Sequence, residues 1–166
     1  MENMLKELIT VLEELAKLYR RLLDILHEEK KALICARILE VNAVRLKKDA
    51  VLSRIHARDD IRNNIIQQIS EQLGYPPQGL TITQLAQRVE APFSLSLIQC
   101  AADIFSLIED IRSANDINKS LINHSLQLIR SSIRMLVQAI TPSSVYFRSG
   151  RMYQGEVCGS VVSGTA

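Results

Sequence analysis

The first pattern in the chain is a run of apolar residues that recur at steps of three and four positions. It is broken only at Glu29, and its members are Leu5, Leu8, Leu12, Leu15, Tyr19, Leu22, Leu26 and Leu33. Residues at this spacing share one face of a helix, and about four repeats of it are typical of a helix that packs on other helices. The pattern predicts a first long helix over about residues 2–35.

A second stretch with helical spacing follows, and it is less regular. Its apolar positions are Ile38, Val41, Leu52, Ile55, Ile66, Ile69 and Leu73, and charged residues stand at the skipped positions Arg45, Lys48, Asp59 and Arg62. It ends at the sequence GYPPQG, from Gly74 to Gly79. We predict a helix over about 38–73 and a turn near Cys35–Arg37, because the two seams do not form one straight stripe. The alternative is one continuous helix of about 70 residues.

After this break the sequence predicts a short helix and a third long one. Thr81 or Thr83 is a suitable N-cap for a short helix over about 81–89, and Ala91–Pro92 then interrupts the chain. A helix over about 93–140 follows, and its predicted seam is Leu97, Ala101, Ile104, Ile108, Ile111, Asn115, Asn118, Ile122, Ser125 and Ile129. Residues 142–166 are rich in Gly and Ser and are predicted to form a flexible tail.

The composition supports a helical fold and excludes others. The chain of 166 residues has only 6 Gly and 4 Pro, and 1–73 and 93–141 contain neither. Sandwiches and α/β nucleotide folds need frequent turn residues. We predict an all-α protein, an elongated antiparallel helical bundle or coiled-coil hairpin of three long helices plus a short one, with a helical domain over 1–141.

Charge and side-chain chemistry point away from several function classes. The net charge is +2, which gives no reason to expect nucleic-acid binding, and no apolar run is long enough to span a membrane. The spacing of Cys35, Cys100 and Cys158 suits neither a disulfide framework nor a metal site, so we expect a reducing, cytoplasmic compartment. No catalytic or nucleotide-binding motif is present, and we predict no enzyme activity, catalytic residue, cofactor or metal.

The second half of the third long helix carries more apolar surface than one packed face needs. Between Ile117 and Ile140 the apolar residues cover more than a single stripe, and no acidic residue occurs from Ile117 to Gly155. Two readings stay open: a bundle centre or homodimer seam, and a surface for another protein; membrane association is a weaker third. The predicted partner-binding residues are Ile117, Leu121, Leu128, Arg130, Ile133, Arg134, Met135, Leu136 and Ile140. Asn115 and Asn118, on the predicted seam, are assigned the structural role of fixing the helix register.

Three segments resemble the FlgN-like flagellar export chaperones. They are LYRRLLDILHEEKKALICARILEVNAVRLKKDAVLSRI with the helix that ends QQISEQLGYPP, the Asn-containing ANDINKSLINHSLQLIRSSIRML, and TPSSVYFRSGR, in which Tyr146 stands four residues before Gly150. The similarity covers most of residues 5–151. The turn Cys35-Ala36-Arg37 and the tail with Cys158 depart from the family pattern.

The resemblance implies a cytoplasmic chaperone of the flagellar type III secretion system without ATPase activity. Such chaperones bind hook-associated proteins, which form the hook–filament junction, through their C-terminal helical region. This implies that the segment from Ile117 to Ile140 binds the terminal helices of these clients. The resemblance further implies that Tyr146 docks on the export gate or ATPase complex. The alternative function is a self-assembling helical scaffold or coiled-coil dimerisation protein.

Overall fold

A computed structural model describes residues 1–74 and 81–140, with side chains up to Gln138. Four helices occupy these residues: α1 (Glu2–Ile34), α2 (Ile38–Gln72), α3 (Ile82–Ala86) and α4 (Phe93–Ile140). The predicted all-α fold is confirmed, and the long helices form a bundle. The chain divides into two compact units, of which the first is Met1–Ile122 and the second begins at Asn123.

The helices α1 and α2 form an antiparallel hairpin. Its turn contains Ala36, whose φ of 52° lies in the left-handed region and reverses the chain without a glycine. The ion pairs Glu28–Lys47 (2.8 Å) and Glu14–Arg58 (3.1 Å) show that positions move in opposite directions along the two helices. The predicted turn is therefore confirmed, and the alternative of one continuous helix is wrong.

The core lies along the predicted seam of α1. Leu8, Leu12 and Leu15 are each 0% exposed, and the packing partners on α2 are the buried residues Val44, Val51, Ile55, Ile65 and Ile69. The seam of α2 differs from the prediction at its first residue, since Ile38 is 75% exposed. Its other members are buried or partly buried, and Leu52, Ile55, Ile66, Ile69 and Leu73 belong to the core or pack against it. The charged positions Lys48 and Arg62 are partly buried on this stripe, and their charges are held in ion pairs with Glu29 and Asp59.

The short helix α3 is capped as predicted but ends earlier. The Thr81 side chain accepts a hydrogen bond from the backbone N–H of Gln84, and the Gln84 side chain accepts one from Thr81 N–H. The helix ends at Ala86 rather than near residue 89, because the N–H of Arg88 bonds the carbonyl of Leu85 in a tighter turn. Leu85 and Ala86 are buried, so even this short element contributes to the core.

The part of α4 before Ile122 packs on the hairpin. Ser94 Oγ donates to the carbonyl of Ala86 at 2.7 Å, which ties the start of α4 to the end of α3. The residues that face the core are Leu97, Cys100, Ile104, Leu107, Ile111, Ala114, Asn118 and Leu121. These residues follow strict steps of three and four, so the seam passes through Ala114 rather than the predicted Asn115.

A candidate partner-binding surface on helix α4

The second unit of the chain exposes a row of large apolar side chains on α4. Leu128 is 57% exposed, Met135 71% and Leu136 62%, although burying such side chains is normally favourable. We call the following exposed residues the C-terminal apolar surface: Leu126, Leu128, Ile129, Ile133, Met135 and Leu136. Large exposed apolar patches on a protein often mark interaction sites, whereas single exposed apolar residues are ordinary.

Helical geometry places this surface in two rows. Leu126, Ile129, Ile133 and Leu136 follow at steps of three and four along one side of the helix. Leu128 and Met135 stand seven residues apart on a second row. At 100° per residue the two rows span an arc of about 180°, which is wider than the stripe of a surface helix. The width suits a helix that another element covers.

The charges on this part of α4 all have one sign. Arg130 and Arg134 are exposed and four residues apart, so they share the polar side of the helix. No Asp or Glu occurs between Ile117 and Gly155. The surface therefore combines an apolar arc with a basic margin, which favours a partner with acidic groups beside its apolar residues.

The remaining predicted partner-binding residues have different placements. Ile117 is 42% exposed and Leu121 is half-buried, both within the first unit. The side chain of Ile140 and the whole of Tyr146 lie outside the described residues, as does the predicted tail. Their assigned roles stay predictions.

The two asparagines assigned a role in register occupy unlike environments. Asn118 is 2% exposed, and its Nδ2 donates to the Leu26 carbonyl and to Glu29 Oε2, both at 2.9 Å. Asn115 is exposed, so its predicted position on the core seam is wrong. The reason is the seam at Ala114, which turns Asn115 toward solvent.

Sequence analysis missed the polar cluster that surrounds Asn118. Glu29 is 5% exposed, and Lys48 Nζ donates to Glu29 Oε1 at 2.7 Å while Asn118 holds the other carboxylate oxygen. The sequence did contain a signal for this cluster, because each of the three predicted seams includes a polar residue. Glu29 interrupts the first seam, Lys48 occupies a skipped position of the second, and Asn118 lies within the third. Matching polar breaks between facing helices would have identified the cluster.

The described residues offer no arrangement typical of metal chemistry. No three His, Cys, Asp or Glu side chains cluster as a metal site requires in the part of the chain that the structure describes. In the same residues no helix is long and apolar enough to cross a membrane. Among the thiols, burial raises the pKa of Cys100, which favours its protonated and less reactive form.

Comparison with known proteins gives the family. A family model described as FlgN protein matches residues 1–154, which is nearly the whole chain. The chain belongs to the FlgN family. FlgN proteins are flagellar export chaperones that bind flagellar substrate proteins, so this general function applies here, and the family is one of chaperones rather than enzymes. No curated protein and no solved structure gives a significant match.

Proposed function

We propose that this FlgN protein binds hook-associated proteins in the cytoplasm, prevents their aggregation and delivers them to the flagellar export gate. The observation that carries the proposal is the C-terminal apolar surface, which leaves side chains such as Leu128 and Leu136 more than half exposed. A terminal amphipathic helix of a hook-associated protein has the complementary apolar face. Covering that helix would keep it from associating with other copies before export.

The energetics favour a surface that acts as a whole. Full burial of one large aliphatic side chain contributes about 1.5–3 kcal/mol, whereas association costs about 4–15 kcal/mol in lost freedom. One or two contacts are therefore insufficient, and both rows of the surface are needed. Arg130 and Arg134 add specificity and association rate through acidic groups on the client more than they add affinity.

Calorimetric titration of the full chain with a purified hook-associated protein tests the proposed surface. The variant Leu128→Asp with Leu136→Asp puts one charge on each row and is expected to weaken binding by at least about a hundredfold, since several apolar contacts are lost together. The matched control is Leu95→Asp with Phe105→Asp, which introduces the same charges at two exposed apolar side chains that belong to neither the C-terminal apolar surface nor α2. Circular dichroism confirms helicity in both variants.

An unchanged affinity in the Leu128/Leu136 variant, with helicity retained, would contradict the proposal. Equal losses in the Leu95/Phe105 control would show an effect of charge rather than of site. Sedimentation equilibrium separates the alternative of a self-assembling scaffold. A tight homodimer that the Leu128/Leu136 variant dissociates, with reduced binding of a hydrophobic dye to the dimer, would favour the scaffold.

A further inference from the structure

The solvent-facing side of α2 carries a second stripe, of leucines and small residues, that the core does not use. Its members follow at steps of four and three residues, all are exposed, and we call them the α2 outer stripe: Leu39, Ala43, Leu46, Ala50, Ser53 and Ala57. Leu39 is 85% exposed and Leu46 64%, while buried residues such as Val44 and Val51 lie on the other side of the helix. The spacing is that of a helix seam, with alanine at every seventh position.

Two open cavities lie beside this stripe, in the groove between α1 and α2. The first has a volume of about 400 Å3 and is lined by Ala43 together with Ala32 and Cys35 near the hairpin turn. The second has a volume of about 330 Å3 and is lined by Ala57 together with Leu18 and Ile61. Ala43 and Ala57 stand two heptads apart, roughly 21 Å along the helix. The small side chains thus leave two apolar depressions in register with the seam.

The rims of both cavities carry an excess of positive charge. The basic residues are Lys31, Arg37 and Lys47 at the first cavity and Lys17, Arg54 and Arg58 at the second. The three acidic residues on these rims are already paired, in Glu28–Lys47, Glu40–Arg37 and Glu14–Arg58. Lys17, Lys31 and Arg54 take part in none of these pairs, so basic residues outnumber acidic ones on the rims and the groove keeps a net positive charge beside its apolar lining.

We propose that the groove between Ala43 and Ala57 docks an amphipathic helix of a partner protein, with large aliphatic residues at a seven-residue spacing and acidic residues alongside them. The aliphatic residues fill the two depressions, and the acidic residues face Lys17, Lys31 and Arg54. A second copy of this chain is a poorer occupant, because the same groove would bring the same cations together. No described side chain of α4 lines either cavity, so the groove and the C-terminal apolar surface share no residue.

Fluorescence anisotropy with a defined peptide tests the proposal on the full chain. The probe is a labelled synthetic helix of about 20 residues, long enough to span both cavities, with Leu every seventh position and Glu on the flanks. A peptide of the same apolar pattern with Lys on the flanks is expected to bind at least about tenfold more weakly. Filling both depressions with Ala43→Leu and Ala57→Leu is expected to weaken binding of the Glu peptide by at least about tenfold. The matched control Ala102→Leu, at an exposed position of α4, leaves binding unchanged.

The position of the bound peptide has its own readout. Cys35 is exposed and lines the first cavity, so the bound Glu peptide is expected to slow its alkylation, measured by mass spectrometry of the Cys35 fragment. Half-buried Cys100 lines neither cavity and serves as the internal reference.

The outcomes that overturn this proposal differ from those that overturn the proposed function. One outcome is that the Glu peptide loses binding to the Leu128→Asp, Leu136→Asp variant and still binds the Ala43→Leu, Ala57→Leu variant. In that case the peptide binds the C-terminal apolar surface and the groove proposal is wrong. If sedimentation equilibrium shows a dimer, and the Ala43→Leu, Ala57→Leu variant is a monomer, then a second copy of the chain occupies the groove. That result also contradicts the proposal of a partner helix. If calorimetry shows no effect of Leu128→Asp with Leu136→Asp on client binding, but the Glu peptide still binds the groove, only the proposed client function is contradicted.

Discussion

Glu29 is the residue on which the three long helices meet. Its carboxylate is buried and receives one hydrogen bond from α2, through Lys48, and one from α4, through Asn118. A buried carboxylate is costly unless its oxygens are paired, so each of these donors compensates a definite penalty. The same contact fixes where α4 lies along α1, because Nδ2 of Asn118 also binds the Leu26 carbonyl.

Two neighbouring lysines of α2 test this account. Lys48 pairs with buried Glu29 at 2.7 Å, and Lys47 pairs with exposed Glu28 at 2.8 Å. Lys48→Met leaves the buried carboxylate without its cation and is expected to lower the free energy of unfolding by about 3 kcal/mol, the low end for a broken buried pair because Asn118 still donates to Glu29. Lys47→Met is expected to change it little, because exposed pairs contribute little. Urea denaturation followed by circular dichroism measures both.

A further variant separates charge from packing. Adding Glu29→Leu to Lys48→Met removes the buried carboxylate and is expected to restore most of the lost stability, since no unpaired charge then remains in the core. Equal losses for Lys47→Met and Lys48→Met would contradict the role assigned to burial.

At the scale of the helices, the sequence predicts type and order better than rotation. The boundaries of α1, α2 and α4 follow from the positions of Gly and Pro and from the points where the apolar seams end, because these features act locally on the backbone. The rotation of α2 and α4 depends on which charged or polar side chain another helix can pair, as Lys48 and Asn118 show. That information lies on a different helix, so the spacing of one helix alone placed Asn115 on the core side of α4.

The helix α3 is short, but it contributes to the core of the protein. Leu85 is 0% exposed within the same core as α1 and α2, and the carbonyl of Ala86 accepts the hydrogen bond from Ser94 of α4. We infer that α3 fixes the start of α4 against the hairpin. The prediction of a capped helix at Thr81 followed from the capping pattern, but its burial follows only from the assembled core.

Truncation of one leucine in α3 tests its part in the core. Leu85→Ala is expected to lower the free energy of unfolding by about 2–5 kcal/mol, because it removes a fully buried side chain and leaves a cavity. The matched control Leu95→Ala, at a leucine that is 68% exposed in α4, is expected to cost less than about 0.5 kcal/mol. Thermal or urea unfolding of the two variants compares them directly, and similar losses would show that α3 is not part of the cooperative core.

At the scale of the whole molecule, the proposed function divides into holding a client and delivering it, and we expect the two tasks to use different residues. The C-terminal apolar surface ends at Leu136, and the groove beside the α2 outer stripe shares no residue with it. The excess of apolar surface in α4 was evident from sequence, because it needs no knowledge of the fold. The groove was not, since its cavities arise only where α1 and α2 lie side by side.

Tyr146 provides the test of whether delivery is separable from holding. It lies beyond the C-terminal apolar surface in the chain and is proposed to dock on the export gate, so Tyr146→Ala is expected to leave the affinity for a hook-associated protein unchanged in calorimetry. Binding of the loaded chaperone to the purified cytoplasmic part of the export gate is expected to weaken by about tenfold or more, because an interface tyrosine commonly contributes 2 kcal/mol or more. Secretion of the hook-associated protein should fall in parallel. Tyr153→Ala is the matched control in the same segment, and a loss of gate binding there but not at position 146 would assign docking to a different tyrosine.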